Sequence, residues 1–519
     1  MIGLAALEAA AGALVAVGFT RLCMSIDVNP VQRIGQVSGL AAMQLRFILV
    51  FIVIALVWWA LSRSISRPVA LRVACGSLAG LASGLVAGGV AVILRGTEWP
   101  LNGTSGDSGQ LQQWVFDIQH GRSISDVYPP LFPRALTWWT EVFNPDHPGA
   151  GLKMFGMVLL AFSGPAVYLA WRLLLPPLWA LGLGVVAVFP LVSPAKPYAD
   201  IPLLVLIPLL AKFVETILRA ARFSAKASLL SGAVFGAAFG LLFLWYSGWF
   251  VWSAPGVLAL VIVMIARVAR EGGRPALLRA ATVMGASAVT FLLIAGSYAI
   301  RLISNSGEPD TYMYFDTNSD PAYFVMWQGD QPGAAANGLW PPPGELGGVG
   351  VFVLLLVVGI GVALWLGSSL PVVQVAAFCM LGAFLLRYWF ASHMERDQLV
   401  QLYPRTSAEL LYCSIVLCAM AGYLISQKFA GRGAVEPETP RHRLPISAPA
   451  LRTSGAVLCA LAFFAAMAGS STVDRFMPSG DQNSHGAQGW TAQTTRLPNG
   501  HCPKFAPEGK CHEPKPLVR

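Results

Sequence analysis

Residues 103–133 read GTSGDSGQLQQWVFDIQHGRSISDVYPPLFP, and what surrounds them decides the fold. They form the middle of a polar segment, 96–152, that carries Asp107, Asp117 and Asp126 with Trp114 and Tyr128 among them. On either side, near 73–94 and 153–171, the chain is apolar for long enough to cross a bilayer. An acidic, aromatic loop at a membrane face suits an enzyme acting on a lipid-linked substrate. A solvated connector between two spans is the plainer alternative.

The apolar pattern repeats along the chain. Hydrophobic residues make up 55% of the 519 and charged residues 12%, where soluble domains carry roughly 25% charged. About 13 runs occur, near 4–21, 45–62, 73–94, 153–171, 173–192, 199–218, 228–245, 249–266, 280–300, 349–368, 371–391, 408–426 and 452–469. Each is long enough for a hydrocarbon core of roughly 30 Å. The sequence therefore predicts an all-α integral membrane protein, with residues 1–469 as the multi-spanning domain. The first run is long, Ala-rich and without a basic start, so it reads as a span rather than a cleaved signal.

The net charge of +9 follows topology. Basic residues cluster in alternate connections: Arg63, Arg67 and Arg72; Lys212, Arg219, Arg222 and Lys226; Arg267, Arg270, Arg274 and Arg279; then Lys428, Arg432, Arg441, Arg443 and Arg452. Segment 96–152 holds six acidic residues against two basic ones, and 302–348 holds six acidic residues with no Lys or Arg. By the positive-inside rule the basic loops and the N-terminus are cytoplasmic, and the acidic loops and the C-terminus lie outside. Three outer loops, 96–152, 302–348 and 388–407, are expected to build a polar vestibule. Nucleic acid is not indicated as a partner; membrane lipid is.

The last 50 residues, 470–519, are rich in Gly, Pro, Ser, Asn and Gln, which predicts a largely irregular outer tail with little core. Six cysteines sit in or beside apolar runs, while Cys502 and Cys511 lie in that tail and are expected to form a disulfide. No metal-ligand cluster is evident: His501 and His512 flank those cysteines, and a four-ligand zinc site is the less favoured reading beside the disulfide. Without a Gly-Lys-Ser/Thr loop, ATP-driven transport has no support. Charges are read as almost absent from the apolar runs, which argues against ion-coupled transport.

Asp107 is the sharpest candidate for chemistry. Gly103, Gly106 and Gly109 let the backbone turn tightly around it. A carboxylate there can accept a proton from an attacking hydroxyl. On spacing alone it reads first as a turn acid, or as the cap of a helix over 108–120 in which Leu111, Trp114, Val115 and Ile118 recur at helical spacing. Asp117 and Asp126 read as solvated loop acids. Lys196, in Lys196-Pro-Tyr198-Ala-Asp200, can hold a phosphate or snorkel to headgroups. Arg405 has the same two readings; Arg387, beside Tyr388 and Trp389, reads as an interface anchor. His393, Glu395 and Asp397 are vestibule candidates that read first as solvated. Trp245, Tyr246, Trp249 and Trp252 read as an interfacial aromatic belt.

Segment 103–133 resembles the first large outer loop of actinobacterial galactan 5-O-arabinofuranosyltransferases. There a Gly-x-x-Gly-Asp segment precedes a Gln-rich stretch and a Tyr-Pro motif. Those are multi-spanning enzymes of the GT-C superfamily, which take sugars from polyprenyl phosphates. The resemblance implies Asp107 as catalytic base, with Gln110 and Tyr128 near the sugar. Lys196, Tyr198, His393 and Arg405 complete the substrate-binding set expected at the outer face. It also implies a decaprenyl-phosphoryl arabinose donor, a cell-wall glycan acceptor such as galactan, and a role in arabinogalactan and cell-wall biogenesis. No metal or other cofactor is required, although the acidic loops leave room for a divalent cation. The family's sizeable C-terminal outer domain has no evident counterpart in 470–519. A polyprenyl-phosphate-mannose transferase, a lipid-linked-sugar transporter or flippase, and a structural partner in cell-wall assembly are the alternatives.

Overall fold

The computed structural model describes residues 2–64, 66–305, 351–398, 406–429, 448–482 and 484–518. Much of the 302–348 and 388–407 loops, Arg405 included, lies outside them. In chain order the helices are α1 (Ile2–Cys23), α2 (Arg33–Ser64), α3 (Arg67–Ile93), α4 (Gly106–Gln119), α5 (Leu131–Phe143), α6 (Pro148–Arg172), α7 (Pro177–Leu191) and α8 (Pro197–Leu218). They continue as α9 (Ala225–Trp245), α10 (Gly248–Ser304), α11 (Val351–Gly367), α12 (Pro371–Asp397), α13 (Thr406–Phe429), α14 (Ala448–Arg475) and α15 (Gly486–Thr494).

Among the described residues, 10 helices are long and apolar enough to cross a membrane, and two shorter apolar helices accompany them. The protein is an all-helical, multi-pass membrane protein. The eighth and ninth apolar runs lie together in the 57-residue α10, which a non-helical Gly273 (φ +61°) breaks among the arginines 267, 270, 274 and 279.

Two compact units are present, one of Met1–Ile201 with Arg443–Arg519 and one of Pro202–His442. In the first, α3 is the central helix, buried from Ala74 through Ile93. Its Gly76, Gly80, Gly84 and Gly88 recur every four residues, the small-residue spacing that lets helix backbones meet. At Gly80 a Cβ would sit 2.0 Å from the Gly12 carbonyl oxygen, so any side chain there would push α1 away. By contrast α2 leaves Leu45, Ile48, Leu49, Ile52, Val53 and Leu56 exposed. In a membrane protein that face meets lipid.

Glu8 of α1, 1% exposed, ties three helices together. Arg72 donates to both its oxygens at 2.7 and 3.1 Å, while Arg172 at 3.3 Å and the Tyr168 hydroxyl at 3.1 Å donate to Oε1. In the second unit Glu409 is fully buried, takes a 2.6 Å hydrogen bond from Ser253, and its Oε2 has no hydrogen-bond partner among the described residues. These two glutamates correct the expectation that the apolar runs hold almost no charge. Hydropathy averages over a window and passes over a single acid.

Two further expectations are corrected in this unit. Arg387 is 2% exposed and donates to Thr406 (3.2 Å) and Ser407 (2.9 Å), so it is an internal link and not an interface anchor. Trp249 and Trp252 are buried as well, Trp252 edge-on to Phe390 at 5.9 Å, so the tryptophan cluster is partly core and not simply a belt.

Candidate functional site

The site grows from the exit of α3. Leu94 ends the helix, and the chain reverses through Asn102, Gly103 and Gly106, all with positive φ. Gly103 and Gly106 supply, without strain, the left-handed backbone that this turn needs. The helix then starts at Gly106, two residues before the expected Ser108. Ser108 is buried and its hydroxyl donates 2.7 Å back to the Leu101 carbonyl. Buried Gln112 donates to the carbonyls of Gly103 (2.8 Å) and Ser108 (2.9 Å). These two side chains lock the loop onto α4, whose inner face is Leu111 and Val115.

Asp107 falls on the opposite side of that first turn, 53% exposed, where the helix dipole favours a negative charge. Its partner is Lys196, whose ammonium pairs with Oδ2 and whose side chain is 51% exposed. Lys196 ends a tight connection between α7 and α8 in which Asp200 accepts 2.8 Å from the Ser193 amide. The chain segment 192–196 is thus held from below while the lysine head stays in solvent.

Beside this pair lies a cleft of about 410 Å³, part of it open to solvent. Ser108, next to Asp107, lines it, as do Ala195 and Pro197 on either side of Lys196. Leu94, Leu101, Leu152 and Met157 make the walls apolar. Buried Tyr198 lines it too, its ring stacked on Phe132 at 4.2 Å. Lys153 supplies the cation among the lining residues, while Asp107 and Lys196 are chain neighbours of lining residues and do not themselves line the cleft. A carboxylate and an ammonium paired next to residues that line an apolar cleft can hold the polar head of an amphiphile and accept a proton from it or beside it.

The other candidates lie elsewhere. Gln110 is exposed on α4, and Tyr128 is half-buried with its ring 4.2 Å from that of Trp114; neither is among the lining residues. His393 belongs to the second unit, near the end of α12, with Nδ1 2.7 Å from the Trp389 carbonyl. Arg405 is outside the described residues. Asp117 pairs with Arg122 at 3.0 Å and accepts from Gln113 at 3.0 Å, so it braces the loop. Among the described residues no group of three His, Cys, Asp or Glu side chains could hold a metal ion.

Three features of the site escaped the sequence reading. The first is Lys153, which opens the apolar run near 153–171; a lone lysine opening a span directly after the polar loop is the available signal. The second is the pair of Glu98 and His147, 3.1 Å apart, with the His147 ring edge-on to Trp99 at 5.1 Å. Burial holds the His147 imidazole below its usual pKa, outweighing the pull of Glu98 in the other direction.

The third is the tail, and here the expectation of little core is corrected. It is poor in regular structure but packed. Gln493 is fully buried and donates to the carbonyls of Ile93 (3.0 Å) and Arg95 (2.9 Å) at the end of α3. Asn102 donates to the Gln488 carbonyl at 2.9 Å, and Thr97 to that of Ala492 at 2.9 Å. Farther on, the Lys515 amide donates to Thr104 at 3.0 Å and the Val518 amide to Gln113 at 2.8 Å. Cys502 and Cys511 form a disulfide that closes the intervening loop. Polar side chains on backbone carbonyls add to the buried Val473, Phe476, Met477 and Ala492, and composition cannot signal that. Outside the cleft, Lys504 and Arg95 hold the Asp27 carboxyl below its ordinary pKa, joining the tail to the α1–α2 turn.

No protein-family model and no curated protein matches this chain.

Proposed function

We propose that the chain is a GT-C-type glycosyltransferase of the cell membrane, with the N-terminus cytoplasmic and segment 96–152 outside. It moves a sugar, arabinofuranose by the resemblance of 103–133, from a polyprenyl phosphate to a cell-wall glycan such as galactan. The observation that carries the reading is the half-exposed Asp107–Lys196 pair, whose chain neighbours Ser108, Ala195 and Pro197 line the apolar cleft.

An acceptor hydroxyl oxygen attacks the anomeric carbon, its proton passes to the Asp107 carboxylate, and the bond from that carbon to the phosphate oxygen breaks. The polyprenyl phosphate leaves with one more negative charge, which Lys196 stabilises. Direct displacement inverts the anomeric centre. Both members of the pair are about half exposed, and such pairs contribute only about 0–1 kcal/mol. Lys196 can therefore leave Asp107 for the donor phosphate at little cost, which frees the base.

The test is transfer by the purified full-length protein from labelled decaprenyl-phosphoryl arabinose and polyprenyl-phosphate mannose to a galactan-like acceptor. Transfer from the first donor, abolished by Asp107→Asn, is expected. Transfer only from the mannose donor would replace the sugar, and transfer from neither would remove the enzyme. A second reading, a lipid-linked-sugar transporter, draws support from Glu409, a buried acid of the kind that transporters use. It predicts that substrate movement in vesicles survives Asp107→Asn and fails in Glu409→Gln.

A further inference from the structure

Lys153 is the group in the cleft that the scheme above does not use. It sits in the second turn of α6, and its ammonium donates to the carbonyls of Leu94 (3.0 Å) and Thr97 (2.6 Å), where α3 ends. A cation at a helix C-terminus is favourable, and capping accounts for two of its three N–H groups. It does not account for a charge on an apolar wall. Among the described residues no carboxylate is ion-paired with Lys153. The acid nearest in sequence to those carbonyls, Glu98, contacts His147 at 3.1 Å and attracts Lys153 only from beyond ion-pair distance. Two carbonyls fix the head against the wall and leave one N–H, an arrangement that receives an anion without first ordering a flexible side chain.

The geometry points to Lys153 as the phosphate-binding residue inside the cleft, with a prenyl chain on the walls formed by Val90, Leu94, Leu152, Met157 and Leu159. This deepens the transferase reading and rests on it for the lipid-linked donor. Lys153 holds the phosphate in both the bound donor and the product, whereas Lys196 reaches it from beside the cleft. The ligand class is a phosphate ester with an apolar tail. Free inorganic phosphate shares the charge but not the tail.

Binding of farnesyl phosphate, farnesol and inorganic phosphate to the full-length protein in detergent tests this, followed by tryptophan fluorescence. Lys153→Gln keeps a donor for the carbonyls but not the charge. It is expected to weaken farnesyl phosphate binding about 10- to 100-fold, the size of one charge-assisted hydrogen bond. Farnesol binding stays unchanged and Lys153→Arg stays near wild type. Unchanged farnesyl phosphate affinity in Lys153→Gln would overturn the assignment. Inorganic phosphate binding as tightly as farnesyl phosphate would overturn the prenyl part. Should Lys153→Gln fail to fold, amine labelling of the unaltered protein decides, because farnesyl phosphate must protect Lys153 and farnesol must not. Failure of the two readings is distinguishable. Lys153-dependent binding without sugar transfer removes the transferase and leaves the phosphate seat; transfer and binding both indifferent to Lys153→Gln do the reverse.

Discussion

Two ion pairs in the same unit show how burial sets the use of a charge. Glu8 is 1% exposed and is held by Arg72, Arg172 and Tyr168; Asp107 is 53% exposed and meets Lys196. Both are carboxylates in the first half of the chain, each paired with a cation far away in sequence. Away from water, removing one member of the Glu8 group strands the others as uncompensated charge, so it acts as a lock between α1, α3 and α6. Beside the cleft, solvent replaces a lost partner, so the Asp107 pair can open and close within a reaction cycle.

The sharpest way to break this contrast is at Asp107. Asp107→Asn is expected to lower sugar transfer by about 10²–10⁴-fold, while unfolding stability changes by under about 1 kcal/mol. A thermal melt that drops sharply would make Asp107 a structural acid and remove it from the site. Glu8→Ala should behave in the opposite way, losing about 3–5 kcal/mol of stability because two arginines lose their counter-charge. A melt indistinguishable from wild type would show that the lock is not one.

Smaller effects sharpen the picture of what holds the loop. Replacing Cys502 and Cys511 with serine should cost about 2–3 kcal/mol, through the freedom restored to the loop in the unfolded chain. Hydrogen exchange should then rise at the amides of Asn102 and Lys515, which donate to Gln488 and Thr104 between loop and tail. Exchange confined to 499–512 would mean that the brace does not need the disulfide.

The smallest expected effect is on pH. His147 in the fold has a pKa below its ordinary 6.5. The unfolded chain therefore takes up a proton first as pH falls, and stability present above that value is lost on acidification. Asp27 works in the same direction at lower pH, since its carboxyl is held ionised by Lys504 and Arg95. A melting temperature that falls between about pH 7.5 and about pH 5.5, with a flatter profile in His147→Gln, is the expected result. A profile as steep in His147→Gln would assign the loss to another group.

Much of this was legible in the residues. The apolar runs became helices because in lipid a backbone must satisfy its own hydrogen bonds, so length and hydropathy suffice. The turn at Gly103 and Gly106 and the helix behind Asp107 were visible as glycine placement and as Leu111–Val115 spacing. Lys196 was visible only as a candidate, since nothing local says that a lysine 89 residues away will meet Asp107. Gln112 and Gln493 were invisible, and Lys153 showed only as a lone lysine opening a span, for a shared reason. Each is a polar side chain whose partner is a backbone carbonyl, and such carbonyls carry no mark in a sequence.

By itself, then, the sequence determined that this chain is built of membrane-long apolar helices and carries an acidic, glycine-turned loop between two of them, because hydropathy and backbone freedom are local properties. Only the tertiary structure decided that Asp107 meets Lys196, that Lys153 stands in the cleft beside them, and that the polar tail is bound to the loop. Those facts depend on which distant groups are brought together and on how much water is left between them, and neither is written in any short stretch of residues.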